Sequence, residues 1–196
     1  MLNLELIDEI EEYYKIRTII QLFFKELKIE KLEYKKSYFT SNVFECYIEE
    51  LIKKHFNDKK LFNYIKHPNG SHKKPDFLIE INNNLYKDIN IECKSGQNLK
   101  PTWNCSLPED NIIYIFYCYH KKYNKICIFT KNMIISEKEY NLCKQLSHNI
   151  KDFCKKLYKE KQSNFEYCPR PMFIQHNHLD FSNKLINIDT ILSLNK

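Results

Sequence analysis

Apolar residues recur at helical intervals along the first 33 positions: Leu4, Ile7, Ile10, Tyr14, Ile20, Phe23, Phe24 and Leu27, with no Gly or Pro between them. Steps of three and four residues line one face of a helix, so one helix or two are expected from residue 3 to about residue 33. Asp8, Glu9, Glu11 and Glu12 fall early, where the helix dipole favours negative charge. The segment can pack on a core or serve as a dimerisation element. A second helix is expected from about Ser41 to Phe56, with Ser41 or Asn42 as its cap. Its apolar face is Val43, Phe44, Tyr47, Ile48, Leu51, Ile52 and Phe56. At about 100° per residue, Glu45 projects between Ile52 and Phe56, inside the edge of that face, and Glu49 just outside it. An acid on the core side of a helix is uncommon. Its head either snorkels to water or belongs to a site.

The period then shortens. Residues 57–74 are polar and rich in turn formers, which reads as a loop. Two strands are expected, about Asp76 to Ile81 and about Leu85 to Ser95, joined at Asn82-Asn83-Asn84, where asparagine tolerates a positive φ. Alternation in the second puts Ile89, Ile91 and Cys93 on one face and Asn90, Glu92 and Lys94 on the other. After a loop over 96–111, the run from Ile112 to Tyr119 is continuously apolar, as a central strand buried on both faces would be. Ile126 to Phe129 is one more strand. Ser136 with Glu139 three residues on forms a capping-box pattern at the head of another helix. Its stripe is Leu142, Leu146, Ile150, Phe153 and Leu157, and lysines occupy its other faces. That helix either lies along a polyanion or faces water. Residues 163–196 suggest a strand or two and a tail. The order of elements makes a mixed α/β layer fold, read as one domain of 196 residues with a catalytic core at about 41–160 and a helical segment at 1–40.

Charge adds one fact. Residues 1–50 carry 11 acids and 7 bases, a net of −4, and residues 51–196 carry 14 acids and 24 bases, a net of +10. A basic C-terminal three-quarters suits a polyanion, although lysine faces in water look the same by count. No apolar run reaches the length of a membrane span, and the N-terminus lacks the basic and apolar regions of a signal peptide. The eight cysteines show no Cys-x-x-Cys spacing. They are expected to be reduced thiols in a cytoplasmic protein, with no structural zinc.

The two middle strands bear the candidate chemistry. Pro75-Asp76 opens the first, and Glu92-Cys93-Lys94 ends the second after a gap of fifteen residues. Hydrolysis of a phosphodiester needs an attacking water, charge relief at phosphorus and help for the leaving oxygen. Mg²⁺ takes hard oxygen ligands and keeps several waters, so one or two carboxylates suffice to hold it. Asp76 and Glu92 offer two, and the main-chain carbonyl of Cys93 a third oxygen. Lys94 shares the strand face of Glu92, about 7 Å further on. There it can orient or deprotonate the water and neutralise charge at the phosphate.

This arrangement resembles the PD-(D/E)xK nuclease superfamily: Pro75-Asp76, then Glu92-Cys93-Lys94 closing an apolar strand, with Phe44-Glu45 in the preceding helix where members often carry a further acid. The continuation Ser95 … Lys100-Pro101-Thr102-Trp103-Asn104 … Leu107-Pro108 and Ile113-Tyr114-Ile115-Phe116 resembles the type II restriction endonucleases within it. The likeness covers about residues 41–120. It implies a restriction-endonuclease-like core, a central mixed sheet of four to five strands flanked by helices. It further implies Mg²⁺-dependent cleavage of double-stranded DNA, with Mn²⁺ able to substitute, frequent homodimers and a cognate DNA methyltransferase as genetic partner. Asp76 and Glu92 would be metal ligands, Lys94 the water-orienting group, and Glu45 an auxiliary ligand or hydrogen-bond partner, with Glu49 the alternative. A structure-selective or repair nuclease, or a DNA-binding protein without catalysis, shares most of these features.

For contact with DNA, the loop after Lys94 offers Ser95, Gln97, Asn98, Lys100, Thr102 and Asn104, whose groups suit base edges or phosphates. Trp103 can stack on DNA or pack inside the protein. Lys73 and Lys74 can meet the phosphate backbone or simply be solvated. His176-Asn177-His178 spells a nuclease name without its spread-out ligands and is set aside.

Overall fold

A five-stranded sheet in the order β1-β2-β3-β5-β6 holds the molecule together. Its strands are β1 (Phe62–Lys66), β2 (Phe77–Ile81), β3 (Ile89–Gly96), β5 (Ile112–Cys118) and β6 (Lys125–Phe129). Two short strands, β4 (Thr102–Asn104) and β7 (Met172–Ile174), pair separately. The helices are α1 (Leu4–Ile29), α2 (Ser41–His55), α3 (Lys131–Ile134) and α4 (Glu137–Lys161). The computed structural model describes residues 4–29, 41–71, 73–83, 86–97, 100–104, 106–119, 125–161 and 172–174.

The sheet is mixed. β1, β2 and β3 run antiparallel in turn, β3 and β5 run parallel, and β6 returns antiparallel to β5. β5 is buried at every residue, and alternation divides it between two clusters. Ile113, Ile115 and Tyr117 join a large core with Ile16, Ile20, Phe23, Phe44, Ile48 and Ile52, so α1 and α2 cover that face. Ile112, Tyr114, Phe116 and Cys118 join a smaller cluster with Trp103 and Phe129 on the other. β3 sends Ile89, Ile91 and Cys93 into the large core, as period two requires, and turns Glu92 and Lys94 the other way.

Several boundaries differ from the sequence expectation. β1 lies inside the stretch read as a loop. It is an edge strand with only Phe62 buried, so its hydrophobic signal is faint. The second strand starts at Ile89 rather than Leu85, because Tyr86 is drawn off to stack on Tyr13 of α1 at 5.0 Å. β4 falls within the other expected loop and pairs with β7 from residue 102 to 174, a contact no local pattern reveals. In α1, Ile20, Phe23, Phe24 and Leu27 are buried as expected, but Ile10 and Tyr14 are exposed, and Ile16, outside the expected face, is fully buried. The stripe of α4 faces outward, from 38% exposed at Leu157 to 63% at Phe153. The Ser136–Glu139 capping box forms, with the Ser136 N–H and hydroxyl both donating to Glu139 Oε2. Among the described residues no helix is long and apolar enough to cross a membrane.

Candidate functional site

The antiparallel register of β2 and β3 pairs Phe77 with Ile91. Carried one residue further, it sets Asp76 across from Glu92. Asp76 Oδ2 accepts a 2.7 Å hydrogen bond from the Cys93 N–H. An extended residue presents its N–H and C=O to the same side, so the Cys93 carbonyl also faces the Asp76 strand. Glu92, on the face of β3 turned away from the large core, is held through Oε1 by Lys94 Nζ at 2.6 Å. Glu92 is itself buried, and its Oε2 has no hydrogen-bond partner. Buried polar atoms are nearly always paired, so this one asks for an explanation.

Two further groups complete the cluster. Glu45 reaches the site from α2, and its carboxylate feels the charges of Glu92 and Lys94. His67, just after β1, lies between Glu45 and Asp76. Its Nε2 is 3.9 Å from Glu45 Oε2, and its Nδ1 is 4.0 Å from Asp76 Oδ1. Glu49, one helical turn from Glu45, is otherwise engaged, bonding Lys53 and Lys66 at 2.6 Å each. The structure therefore directs Glu45, rather than Glu49, toward the other acids.

Burial holds all three carboxyls above their ordinary pKa. For Asp76 the Cys93 hydrogen bond opposes this, nearby Glu45 adds to it, and Lys94 and His67 pull the other way. For Glu92 burial dominates again, with Lys94 opposing and Asp76 adding. Glu45 follows the same pattern, with His67 and Lys66 opposing. Three acids, Glu92 buried and Glu45 and Asp76 half-buried, that raise one another form a locus of negative charge that a cation would relieve. The Cys93 thiol is pushed well up by burial, which leaves it no thiolate character.

The residues expected to touch DNA are scattered. Lys73 is exposed, as are Gln97 and Thr102. Ser95 and Lys100 are half-buried, Asn98 lies outside the described residues, and so does the side chain of Asn104. Two expectations need correcting. Lys74 turns inward: its Nζ donates to the Leu107 carbonyl at 2.5 Å, pairs with Glu109 at 3.3 Å and lies 5.8 Å from the Trp103 ring. Burial lowers its pKa, against the pull of Glu109. Trp103 is a core residue, only 3% exposed, edge-on to Tyr114 at 4.9 Å. The reason is alternation: in β4, Thr102 faces out, so Trp103 must face in.

The sequence reading missed His67, Glu109 and Tyr114. No spacing marks His67, which sits before a Pro-Asn-Gly turn like any loop histidine. Tyr114 accepts a 2.7 Å hydrogen bond from the Glu109 N–H and steadies the loop that grips Lys74. That loop and α4 bound a groove of about 630 Å³, whose lining includes Leu107, Glu109, Tyr140, Lys144, His148 and Lys151.

For a metal, the fit is of one kind. Among the described residues no three His, Cys, Asp or Glu side chains converge as a full ligand cage. Zinc or a transition metal would want such a cage. Mg²⁺ does not, since one or two carboxylates and several waters satisfy it. Asp76, the unpartnered Oε2 of Glu92 and the Cys93 carbonyl make a donor set of that hard, oxygen-only type. No family model and no curated protein matches this chain.

Proposed function

We propose that the protein is a Mg²⁺-dependent endonuclease of the PD-(D/E)xK type, acting on double-stranded DNA as a type II restriction endonuclease. The observation that carries this reading is the register that sets Asp76 across from Glu92, with Lys94 bonded to Glu92 Oε1 and the buried Glu92 Oε2 left without a hydrogen-bond partner. Asp76 and Glu92 would hold the ion, with the Cys93 carbonyl beside them. Bound there, Mg²⁺ supplies an acidified water and charge relief at the phosphate. Lys94, steadied by Glu92, would orient the attacking water and face the charge that builds on phosphorus. The Cys93 N–H fixes the rotamer of Asp76, so one ligand is set before substrate arrives.

The five-stranded mixed sheet supports a restriction-endonuclease-like core, and the basic residues 51–196 support a polyanionic substrate. A homodimer would suit a palindromic target. Incubation with plasmid or phage DNA and Mg²⁺ tests the proposal. Discrete fragments are expected. Nicks confined to junctions or mismatches would instead indicate a structure-selective nuclease using the same residues, and binding without cutting would overturn the catalytic reading.

A further inference from the structure

His67 has no role in the chemistry described so far, yet its surroundings are unusual. Its backbone has φ of +50°, a left-handed conformation that residues other than glycine adopt at a cost. Two main-chain bonds hold it there. The His67 N–H donates to the Asp76 carbonyl at 2.7 Å, and the His67 carbonyl accepts from the Gly70 N–H at 2.9 Å. The effect is to place the ring between a carboxylate of α2 and a carboxylate at the head of β2. One ring nitrogen faces each, at 3.9 Å and 4.0 Å. The Nδ1 is buried and has no hydrogen-bond partner. This is therefore not a structural histidine satisfied by the core.

Both separations are too long for formed hydrogen bonds, and sites without substrate often show such loose contacts, which tighten in the working complex. Glu45 and Asp76 come from elements that share no backbone pairing, and like charges push them apart. Something must hold Glu45 at the site. Of the groups that face it, Lys66 is taken up by Glu49, and Lys94 by Glu92. The ring of His67 remains.

We infer that His67 is a positioning residue that links Glu45 to Asp76 and so keeps the α2 acid within the metal-binding cluster. The inference rests on the nuclease reading. Its action runs through Glu45, not through a bond to the metal.

The test measures the Mg²⁺ concentration that half-saturates DNA cleavage and, without DNA, the Mg²⁺ concentration that half-saturates the rise in melting temperature, which reads binding of the ion alone. His67→Gly suits the left-handed backbone and removes the ring, and His67→Asn keeps both the conformation and a short donor. His67→Gly should raise the half-saturating Mg²⁺ by about 10–100-fold, the usual effect of losing a residue that orients a ligand, and His67→Asn should raise it less. Glu45→Gln combined with His67→Gly should be no worse than Glu45→Gln alone, because both changes cut the same link. A purely structural histidine would instead give additive losses and an altered melting temperature. Wild-type cleavage with an unchanged Mg²⁺ requirement in His67→Gly would overturn the inference and leave the nuclease intact. Absence of Mg²⁺-dependent cleavage in the wild type would overturn both.

Discussion

The carboxylate of Asp76 is tied to the main chain of Cys93, accepting its N–H at 2.7 Å. One bond thus joins the residue that opens β2 to the middle of Glu92-Cys93-Lys94 on β3. It orients one acid, presents the Cys93 carbonyl on the same side, and leaves Glu92 and Lys94 to pair on the face of the strand turned away from the large core.

Lys94 holds the only charge-assisted bond on Glu92 among the described contacts. Lys94→Ala should lower the cleavage rate by about 10²–10⁴-fold, the usual range for removing a proton-transfer or charge-stabilising group. DNA affinity measured in Ca²⁺ should stay within a few-fold of wild type. A variant that cuts at full rate would refute the assignment of this lysine.

The acids set a pH dependence whose sign can be worked out. A carboxyl whose folded pKa is raised binds its proton more tightly when folded. Burial of Asp76 and Glu92 therefore costs nothing below the unfolded value, and destabilises increasingly as pH rises through the folded value. Asp76→Asn keeps an acceptor for the Cys93 N–H and removes the charge. It should abolish cleavage while raising the melting temperature in EDTA at mildly alkaline pH, with the gain vanishing in acid. Mg²⁺ should raise the melting temperature of the wild type only. A lower melting temperature for Asp76→Asn under those conditions would contradict the reading.

Glu45 and Glu49 should separate cleanly. Glu45→Gln should reduce Mg²⁺-dependent cleavage by tenfold or more, of the order seen for groups that position metal ligands. Glu49→Gln breaks exposed pairs with Lys53 and Lys66, so it should cost about 1 kcal/mol or less of stability and leave the rate unchanged. The reverse ranking in a cleavage assay would show the wrong glutamate has been chosen.

Trp103 is the only tryptophan, so intrinsic fluorescence reports on it alone. Packed against Tyr114 and Phe129, it should emit at short wavelength and shift little when DNA binds in Ca²⁺. Strong quenching by DNA would restore a stacking role.

Phe44 precedes Glu45, is fully buried, and stacks on Tyr117 of β5 at 5.4 Å. Phe44→Ala should cost about 3–5 kcal/mol in chemical denaturation, as large core truncations do. A loss under 1 kcal/mol would mean that α2 is not anchored through this ring.

How much was legible beforehand depends on the range of the physics involved. Periodicity marked α2, β2 and β3, because a buried face must repeat at the pitch of its own element; continuous apolar runs marked β5 and β6, and a helical stripe marked α4 although that stripe faces outward. Strand alternation alone put Glu92 and Lys94 on one face, and the projection of α2 put Glu45 at the edge of its packed side. Other features depend on contacts between distant residues, and no local pattern encodes those. β1 is a strand only because β2 lies beside it, and β4 only because β7 does. Tertiary packing drew Lys74 inward onto Leu107 and Glu109, gave Glu49 two lysine partners while leaving Glu45 beside His67, and brought His67 between two acids. The sequence by itself determined which residues could do chemistry and on which face of each element they lie, since spacing and pitch are local. Only the folded chain decided which of them meet, since that is set by how helices and strands far apart in sequence pack together.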